Sequence, residues 1–380
     1  MINQTDQMLY RLSNLNIQQQ LNTYQMSTKE KLQEGSDDST LYSRLIAVDE
    51  KVRTYEGLQT QIERTTAQNN VADSSMASIK KIFENAIQEL SKANTATTTA
   101  EGIAAISANL SGIKENLYQF ANTQVEGQYV FAGSNSTIKP FEKDSNGKVT
   151  YVGNNQLRKV AVEEGSYREK GVTGFDMMMY PSATAYKGEN LNFNGSDRIL
   201  DQDGNEWKLN SPTNDTLTKF DSNGVATTET ITPITNDGLT PATYTATLPS
   251  TDGTKFEAKT SIFDLIDNTI NALNKVDSVG NPISDEESKA LISKSGTELN
   301  KAYDGINIAH AQLGGRNKLF ENALDNISSK LTQYDILSQN IGGADMTKVA
   351  VEAKALELTY TALYSTINKT SQLSLVNFMN

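Results

Sequence analysis

The stretch that decides the fold is SDEESKALISKSGTELNKAYDGINIAHAQLGGRNKLFENALDNISSKLTQYDILSQNI, residues 284–341. An apolar residue recurs in it at every seventh position: Ile292, Leu299, Ile306, Leu313, Phe320, Ile327, Tyr334 and Ile341. A seven-residue apolar period is typical of a long helix whose single hydrophobic stripe packs against another helix. We therefore predict a rod of about 85 Å, at about 1.5 Å per residue, that cannot bury its stripe alone.

A matching stripe lies near the other end of the sequence. It consists of Leu41, Val48, Tyr55, Ile62, Met76, Phe83 and Leu90, with Asn69 as its one polar member. Two stripes of the same period and similar length favour an antiparallel pairing of the two halves of the chain. A third helix, predicted over residues 101–124, turns this pair into a bundle.

Between the helical halves, short alternating runs are separated by turn dipeptides. These dipeptides are Asn146-Gly147, Gly153-Asn154, Asp203-Gly204, Asn223-Gly224, Asp237-Gly238 and Asp252-Gly253. Turn signals of this kind between short β-prone runs predict an antiparallel β domain. The predicted fold class is therefore mainly α, with a long antiparallel helical bundle formed by the N- and C-terminal halves and an inserted antiparallel β domain at its distal end.

The pattern divides the chain into three parts. Residues 1–40 and 343–380 form terminal coiled-coil helices, residues 41–141 and 262–342 form the bundle, and residues 142–261 form the β domain. The terminal helices are the predicted assembly surface, and their apolar residues are Met8, Leu12, Leu15, Leu21, Met346, Val349, Ala353, Leu356, Tyr360, Leu363 and Ile367. Within one molecule these helices can cover only each other, so we expect them to be mobile in a monomer and ordered by neighbouring subunits.

Composition excludes several classes of function. The net charge is −12 and no basic cluster occurs, which argues against a nucleic-acid partner. The chain has no cysteine, so it can form neither disulfides nor thiolate metal sites. No stretch approaches about 20 consecutive apolar residues, and the opening residues lack the charged and apolar regions of a signal peptide. We expect no membrane partner and, if the protein leaves the cell, secretion without a cleaved signal peptide.

The residues that could carry chemistry have simpler structural interpretations. The only histidine, His310, falls on the helical seam, where a hydrogen-bonded structural role is favoured over a pH-sensitive layer. A lone histidine without cysteine cannot build a usual zinc site. Asp201 to Glu206 place glycine fourth rather than sixth, which favours a hairpin turn over a calcium loop. We predict no catalytic, cofactor-binding or metal-binding residues and no enzymatic activity.

Two further features of the helical seam leave alternatives open. Asn69 and Asn317 occupy seam positions, where a buried amide can fix the register or mark a widened, water-filled part of the bundle. Gly314 and Gly315 lie inside a predicted helix, where they either permit close approach of a second helix or provide a point of flexure.

Four short motifs carry a resemblance to a known family. They are MSTKEKLQEGSDDS (residues 26–39, with Ser36, Asp37 and Asp38), QYVFAGS (residues 128–134, with Tyr129, Phe131 and Gly133), LGGR (residues 313–316, with Gly314 and Arg316) and SQLSLVNF (residues 371–378). Together they resemble the bacterial flagellin-like axial proteins and, among these, the hook-filament junction proteins. The first motif departs from the family pattern, because Lys29 stands where glycine is usual, Gly35 where proline often stands, and Ser39 in place of a proline.

The resemblance implies a structural subunit of the bacterial flagellum, located outside the cell. Such a subunit is exported unfolded by the flagellar type III apparatus, after an export chaperone has held its C-terminal helix. It then joins a ring of like subunits between the hook-side junction protein and flagellin. Two alternatives remain: a filament flagellin, and a secreted adhesin displayed on the β domain.

Overall fold

The protein is described by a computed structural model that covers residues 2–93, 95, 98–186, 188–210, 213–221, 225–237, 242–248 and 255–378. It divides into two compact units. The first comprises Met1–Thr60 and Leu324–Asn380, and the second comprises Gln61–Ala323. Each unit therefore contains chain from both halves of the sequence, as the paired heptads require.

Helices make up most of the described chain, and all but the short α4 and α5 are more than 20 residues long. They are α1 (Ile2–Thr28), α2 (Ser39–Ala93), α3 (Ala100–Ala121), α4 (Gly174–Met178), α5 (Ile262–Leu273), α6 (Asp285–Gly342) and α7 (Met346–Phe378). Helix α6 begins at a capping box, in which the Glu287 amide donates to Ser284 Oγ at 3.2 Å. Helix α2 begins after Asp38, whose Oδ1 accepts from the amides of Thr40 and Leu41 at 3.1 and 2.9 Å.

The predicted apolar stripes of α2 and α6 are buried. Every seam residue of α2 from Val48 to Leu90 is buried, including Asn69, and Leu41 is half-buried. Along α6 the stripe is buried except for the half-buried Tyr334. The burial of every seventh residue confirms the helical pairing that the sequence predicts.

Two contacts in the first unit show that α2 and α6 run antiparallel there, and the two helices also meet in the second unit. In the first unit, the rings of Tyr55 and Tyr334 stack at 5.5 Å, and Ser338 Oγ donates to Asp49 Oδ1 at 3.2 Å. In the second unit, His310 Nε2 lies 2.9 Å from Asp73 Oδ1. His310 is thus a partly buried, hydrogen-bonded residue of the seam, in agreement with its structural interpretation.

The β strands all fall in the second unit and pair antiparallel. They are β1 (Gln124–Val125), β2 (Gln128–Tyr129), β3 (Phe141–Lys143), β4 (Val149–Tyr151), β5 (Arg158–Glu163), β6 (Ser166–Lys170), β7 (Met179–Ala185), β8 (Asn190–Asn194), β9 (Arg198–Asp201), β10 (Glu206–Leu209), β11 (Leu217–Phe220), β12 (Ala226–Ile231), β13 (Ile234–Asn236), β14 (Thr243–Thr247) and β15 (Phe256–Ser261).

Two sheets enclose the core of the β region. One has the order β12-β11-β10-β9-β15-β7 and the other β13-β14-β8. Leu191, Leu217, Ala246 and Ala258, which come from both sheets, are fully buried in one hydrophobic cluster. The remaining strands form the hairpins β1-β2, β3-β4 and β5-β6. The structure is thus mainly helical with an inserted antiparallel β region, as predicted.

Several predicted turns occur where the sequence places them. Asn146-Gly147 lies in the β3-β4 turn, and Gly204 lies in the β9-β10 turn at a φ of 81°. The Asp201 carboxylate accepts from the amides of Asp203 and Asn205, so residues 201–206 form a hairpin. Gly153-Asn154 lies in the connection from β4 to β5. Asn223-Gly224, Gly238 and Asp252-Gly253 fall outside the described residues.

The glycine pair of α6 does not permit close helix approach. A Cβ added at Gly314 or at Gly315 would meet no atom within 4 Å, and both residues are exposed. Within one molecule, this excludes close approach of a second helix at the pair and leaves flexure as the other sequence interpretation.

We expect that replacing Gly314 and Gly315 with alanine stabilises the protein by about 0.5–1 kcal/mol per residue, because alanine loses less backbone entropy in a helix. Urea denaturation followed by circular dichroism measures this gain. Gly57→Ala in α2, also exposed with no atom within 4 Å of its added Cβ, is the matched control for stability. A motility defect in the double variant and not in the control would support flexure, whereas normal motility in both would exclude it.

Candidate assembly site

Helices α1 and α7 pack against each other and run antiparallel. The start of α7 lies beside the end of α1, since the Ala344 amide donates to the Lys29 carbonyl at 2.9 Å. Further along, the Tyr360 hydroxyl donates to Asn16 Oδ1. The two predicted assembly helices thus cover each other, and both belong to the first unit.

All but one of the predicted assembly residues are buried or half-buried. Val349 is 4% exposed. The half-buried members of the set are Met8, Leu12, Leu15, Leu21, Ala353, Leu356, Tyr360, Leu363 and Ile367. Met346 is exposed instead, because it is the first residue of α7 and no preceding helical turn packs beside it.

Each helix also carries an exposed apolar face outside the predicted assembly residues. On α7, Val351 and Leu358 are 66% and 64% exposed, and on α1, Tyr10 and Ile17 are 70% and 61% exposed. Both pairs are spaced by seven residues. At about 100° per residue, Val351 and Leu358 lie on the side of α7 opposite Val349 and Tyr360. Their heptad spacing was the available signal, and it marks a surface suited to a further helix.

The segment that follows α1 is hydrogen-bonded to the segment that precedes α7. The Lys31 amide donates to the Gly342 carbonyl at 2.6 Å, and Glu30 forms a β-bridge with Gly343. The Tyr24 hydroxyl donates to the Glu30 carboxylate, and this hydrogen bond to an acceptor anion raises the pKa of Tyr24. The junction of the two helices is therefore fixed by backbone and side-chain contacts together.

The Ser-Asp-Asp motif shapes the turn that leads into α2. Asp37 Oδ2 accepts from the amides of Gln33 and Glu34 at 2.8 and 3.0 Å. Asp38 caps α2, whereas Asp37 closes the loop before it, so only one of the two carboxylates acts at the helix terminus. Ser36 Oγ donates to the Glu34 carboxylate at 3.3 Å.

Lys29 occupies a backbone conformation that favours glycine. Its φ is 64°, and its amide donates to the Gln25 carbonyl at 2.9 Å, which is the left-handed cap of α1. The sequence motif has lysine where glycine is usual in the family, so a non-glycine residue carries the steric cost of this cap.

We expect Lys29→Gly to stabilise the first unit by about 0.5–1 kcal/mol, because glycine adopts positive φ at little steric cost. Hydrogen exchange at the Lys31 and Ala344 amides, together with thermal denaturation, measures the gain. Lys31→Gly is the control, because Lys31 is not among the residues with positive φ and should lose stability. Slower exchange in neither variant would contradict the assignment of strain to Lys29.

The QYVFAGS motif lies in the second unit, where the chain passes from the helices to the strands. The Tyr129 amide donates to the Ser136 carbonyl at 2.8 Å, and Phe131 is fully buried. Gly133 has a φ of 82°, and a Cβ there would lie 2.4 Å from the Asn154 carbonyl oxygen. Only glycine fits this crossing of two chain segments.

The LGGR motif reaches the same region of the second unit. Arg316 Nη1 donates to the Gly171 carbonyl at 2.9 Å, and Arg316 Nη2 lies 4.0 Å from Glu169 Oε2. Arg316 thereby joins α6 to the chain just after β6. Gly314 makes no comparable contact, so the structure does not bring it together with the other motif residues.

Neither a metal-binding cluster nor a membrane-crossing helix occurs in the described residues. No group of three or more His, Asp or Glu side chains is placed to hold a metal ion within them. None of the helices in this part of the chain is both long and apolar enough to cross a membrane.

The bundle with an antiparallel β insertion and paired terminal helices is the fold of flagellar hook-associated proteins, as solved structures show. Xanthomonas campestris FlgL matches with a TM-score of 0.51 and 17% identity over 77% of this chain and 99% of the solved chain. The flagellar hook-associated protein-3 of Legionella pneumophila matches with a TM-score of 0.52 and 16% identity over 78% of this chain and 98% of the solved chain.

Within that class, the sequence is similar to flagellar hook-associated protein 3. The Escherichia coli protein is 26% identical over 153 residues, which cover 40% of this chain and 47% of the relative. The chain thus spans about half the length of this curated relative. No family model matches the chain. Sequence and fold together confirm the resemblance to hook-filament junction proteins that the motifs indicated.

Proposed function

We propose that the protein is a structural subunit of the bacterial flagellum that forms the junction ring between hook and filament. Its support is the outward apolar face of the α1/α7 pair, in a chain that resembles hook-associated protein 3 in sequence and fold. Val351, Leu358, Tyr10 and Ile17 offer a surface for helices of neighbouring subunits. Covering that surface would complete a helical layer that two helices cannot complete alone.

The same proposal includes the route to the ring and the partners in it. The subunit is exported by the flagellar type III apparatus, with an export chaperone on α7 beforehand, and then contacts like subunits, the hook-side junction protein and flagellin. Its place is outside the cell, and its role is structural rather than enzymatic. The lack of cysteine suits a chain that must unfold for export.

The proposal is tested by deleting the gene in its flagellated host. Cells that build hooks but release flagellin into the medium would support it, and complementation with the intact gene should restore filaments. Cells with normal filaments would overturn it. Adding purified subunits to flagellin seeds distinguishes a junction protein from a filament flagellin. A filament flagellin extends the seeds into long filaments, whereas a junction protein does not.

A chain lacking residues 142–261 tests the adhesin alternative. An adhesin loses its adhesive activity with this β region, whereas a junction protein should keep the ability to restore filaments, provided that the shortened chain is folded. Circular dichroism of the purified variant checks its helical content before the assay.

A further inference from the structure

A small cavity in the second unit is lined by two cationic side chains. Its walls come from α2, the segment 130–133, β5 and the residues just after β6, and it has about 20 Å³ of space. A polar cavity of this size holds about one water molecule or an ion of similar radius. Gln68, Asn69, Arg158, Lys170 and Gly171 are the lining residues that matter here.

The two cations face each other across the β5-β6 hairpin. The strand register places Arg158 directly opposite Lys170. Lys170 Nζ donates to Gln68 Oε1 at 2.6 Å, and Arg158 Nη1 donates to Gln128 Oε1 and Ser136 Oγ at 3.0 and 2.9 Å. These acceptors are all neutral. Like charges directly opposite in a hairpin repel, and here the described residues supply no carboxylate partner to either one.

A buried amide adds an unused donor to the same cavity. Asn69 is 2% exposed, and its Nδ2 has no hydrogen-bond partner among the described residues. A buried donor without an acceptor is costly, so such groups usually point to a water or an ion. Asn69 is also the polar seam position, and its place at the cavity favours a locally widened bundle over register fixing.

Cationic side chains outnumber carboxylates around the cavity, although burial disfavours their charged forms. Burial, with the nearby Arg158, lowers the pKa of Lys170 to about 8, and burial lowers the pKa of Arg158. From α6 comes Arg316, which donates to the Gly171 carbonyl and lies 4.0 Å from Glu169. From α2 come only the amides of Gln68 and Asn69. The chain as a whole has a net charge of −12, so these cations are not part of a generally basic protein.

We propose that this cavity binds a small inorganic anion of halide size, held by Lys170, Arg158 and the Asn69 amide. The anion accepts the free Asn69 donor and neutralises the repulsion across the hairpin. The limited space favours chloride or bromide over tetrahedral oxyanions. This inference does not depend on the role of the protein in the flagellum.

Thermal denaturation of the full chain at neutral pH tests the site, with chloride and gluconate compared at equal ionic strength. Chloride at about ten times its Kd should raise the melting temperature by roughly 2–4 °C, whereas gluconate, too large to enter, should not. Lys170→Met should lose the chloride effect. Lys159→Met is the matched control, since Lys159 is an exposed cation of β5 in the same hairpin, and it should keep the effect.

A second measurement uses only the unmodified chain. The protein should broaden the chloride NMR line near neutral pH, and the broadening should disappear as pH rises and Lys170 loses its proton. Because the anion favours the charged amine, the midpoint should lie above the anion-free pKa of about 8. Crystals soaked in bromide should show an anomalous peak between Lys170 and Arg158. Equal melting in chloride and gluconate, with no pH-dependent broadening, would overturn the proposal.

Discussion

Replacing Val351 and Leu358 together with aspartate is expected to abolish assembly of the protein into flagella while the isolated subunit stays folded. Both side chains are more than 60% exposed, so the substitution removes little packing within the molecule. In the proposed ring they become buried, and an unpaired carboxylate in an apolar helix contact costs several kcal/mol. The measurement is complementation of the deletion strain, with release of flagellin into the medium as the readout.

The control for this variant places the same charges elsewhere on α7. Thr361 and Asn368 are exposed and are also spaced by seven residues, but they lie about 80° around the helix from the apolar face. Thr361→Asp combined with Asn368→Asp should restore filaments. Equal function of both double variants would show that the exposed apolar face has no part in assembly.

Replacing Gly133 with alanine is expected to destabilise the second unit by about 3–5 kcal/mol. Positive φ costs a non-glycine residue about 1–2 kcal/mol, and the clash with backbone adds a few more. The Cβ would lie 2.3 Å from Asn154 Oδ1 and 2.4 Å from the Asn154 carbonyl, so Asn154 must move. Asn154 Oδ1 accepts hydrogen bonds from the Ser134 and Gln156 amides, and moving Asn154 would break them.

Gly165→Ala separates the two contributions to this loss. Gly165 also has positive φ, at 74°, but an added Cβ there meets no atom within 4 Å. This control should therefore cost only about 1–2 kcal/mol. Urea denaturation monitored by Trp207 fluorescence reports on the β region of the same unit, because Trp207 lies in its core. Equal losses in the two variants would exclude the clash as the larger cause.

The long-range pairing of α2 and α6 could be predicted because burial repeats every seventh residue over many turns. A period sustained from Ile292 to Ile341 can be satisfied only by a partner of equal length, and one such partner exists in the sequence. The helix caps at Asp38 and Ser284 depend on local residue spacing and are therefore also of a kind that sequence can indicate. The fold class follows from these local and periodic signals alone.

The assembly face and the cavity could not be predicted in the same way. Each terminal helix carries two apolar stripes, and the sequence does not say which one the partner helix covers. The meeting of Arg158 with Lys170 depends on the register of a hairpin, which a one-residue slip would change. From sequence alone, Lys29 could be recognised only as a departure from the glycine that is usual in the family this chain resembles. The backbone φ of 64° shows why glycine would suit this position.

The hydrogen bonds that join residues 29–31 to residues 342–344 make the two chain ends mechanically dependent on each other. Helices α1 and α7 are therefore coupled at this junction as well as along the faces where they pack. A change in the tilt of α1 should be accompanied by a change in the tilt of α7.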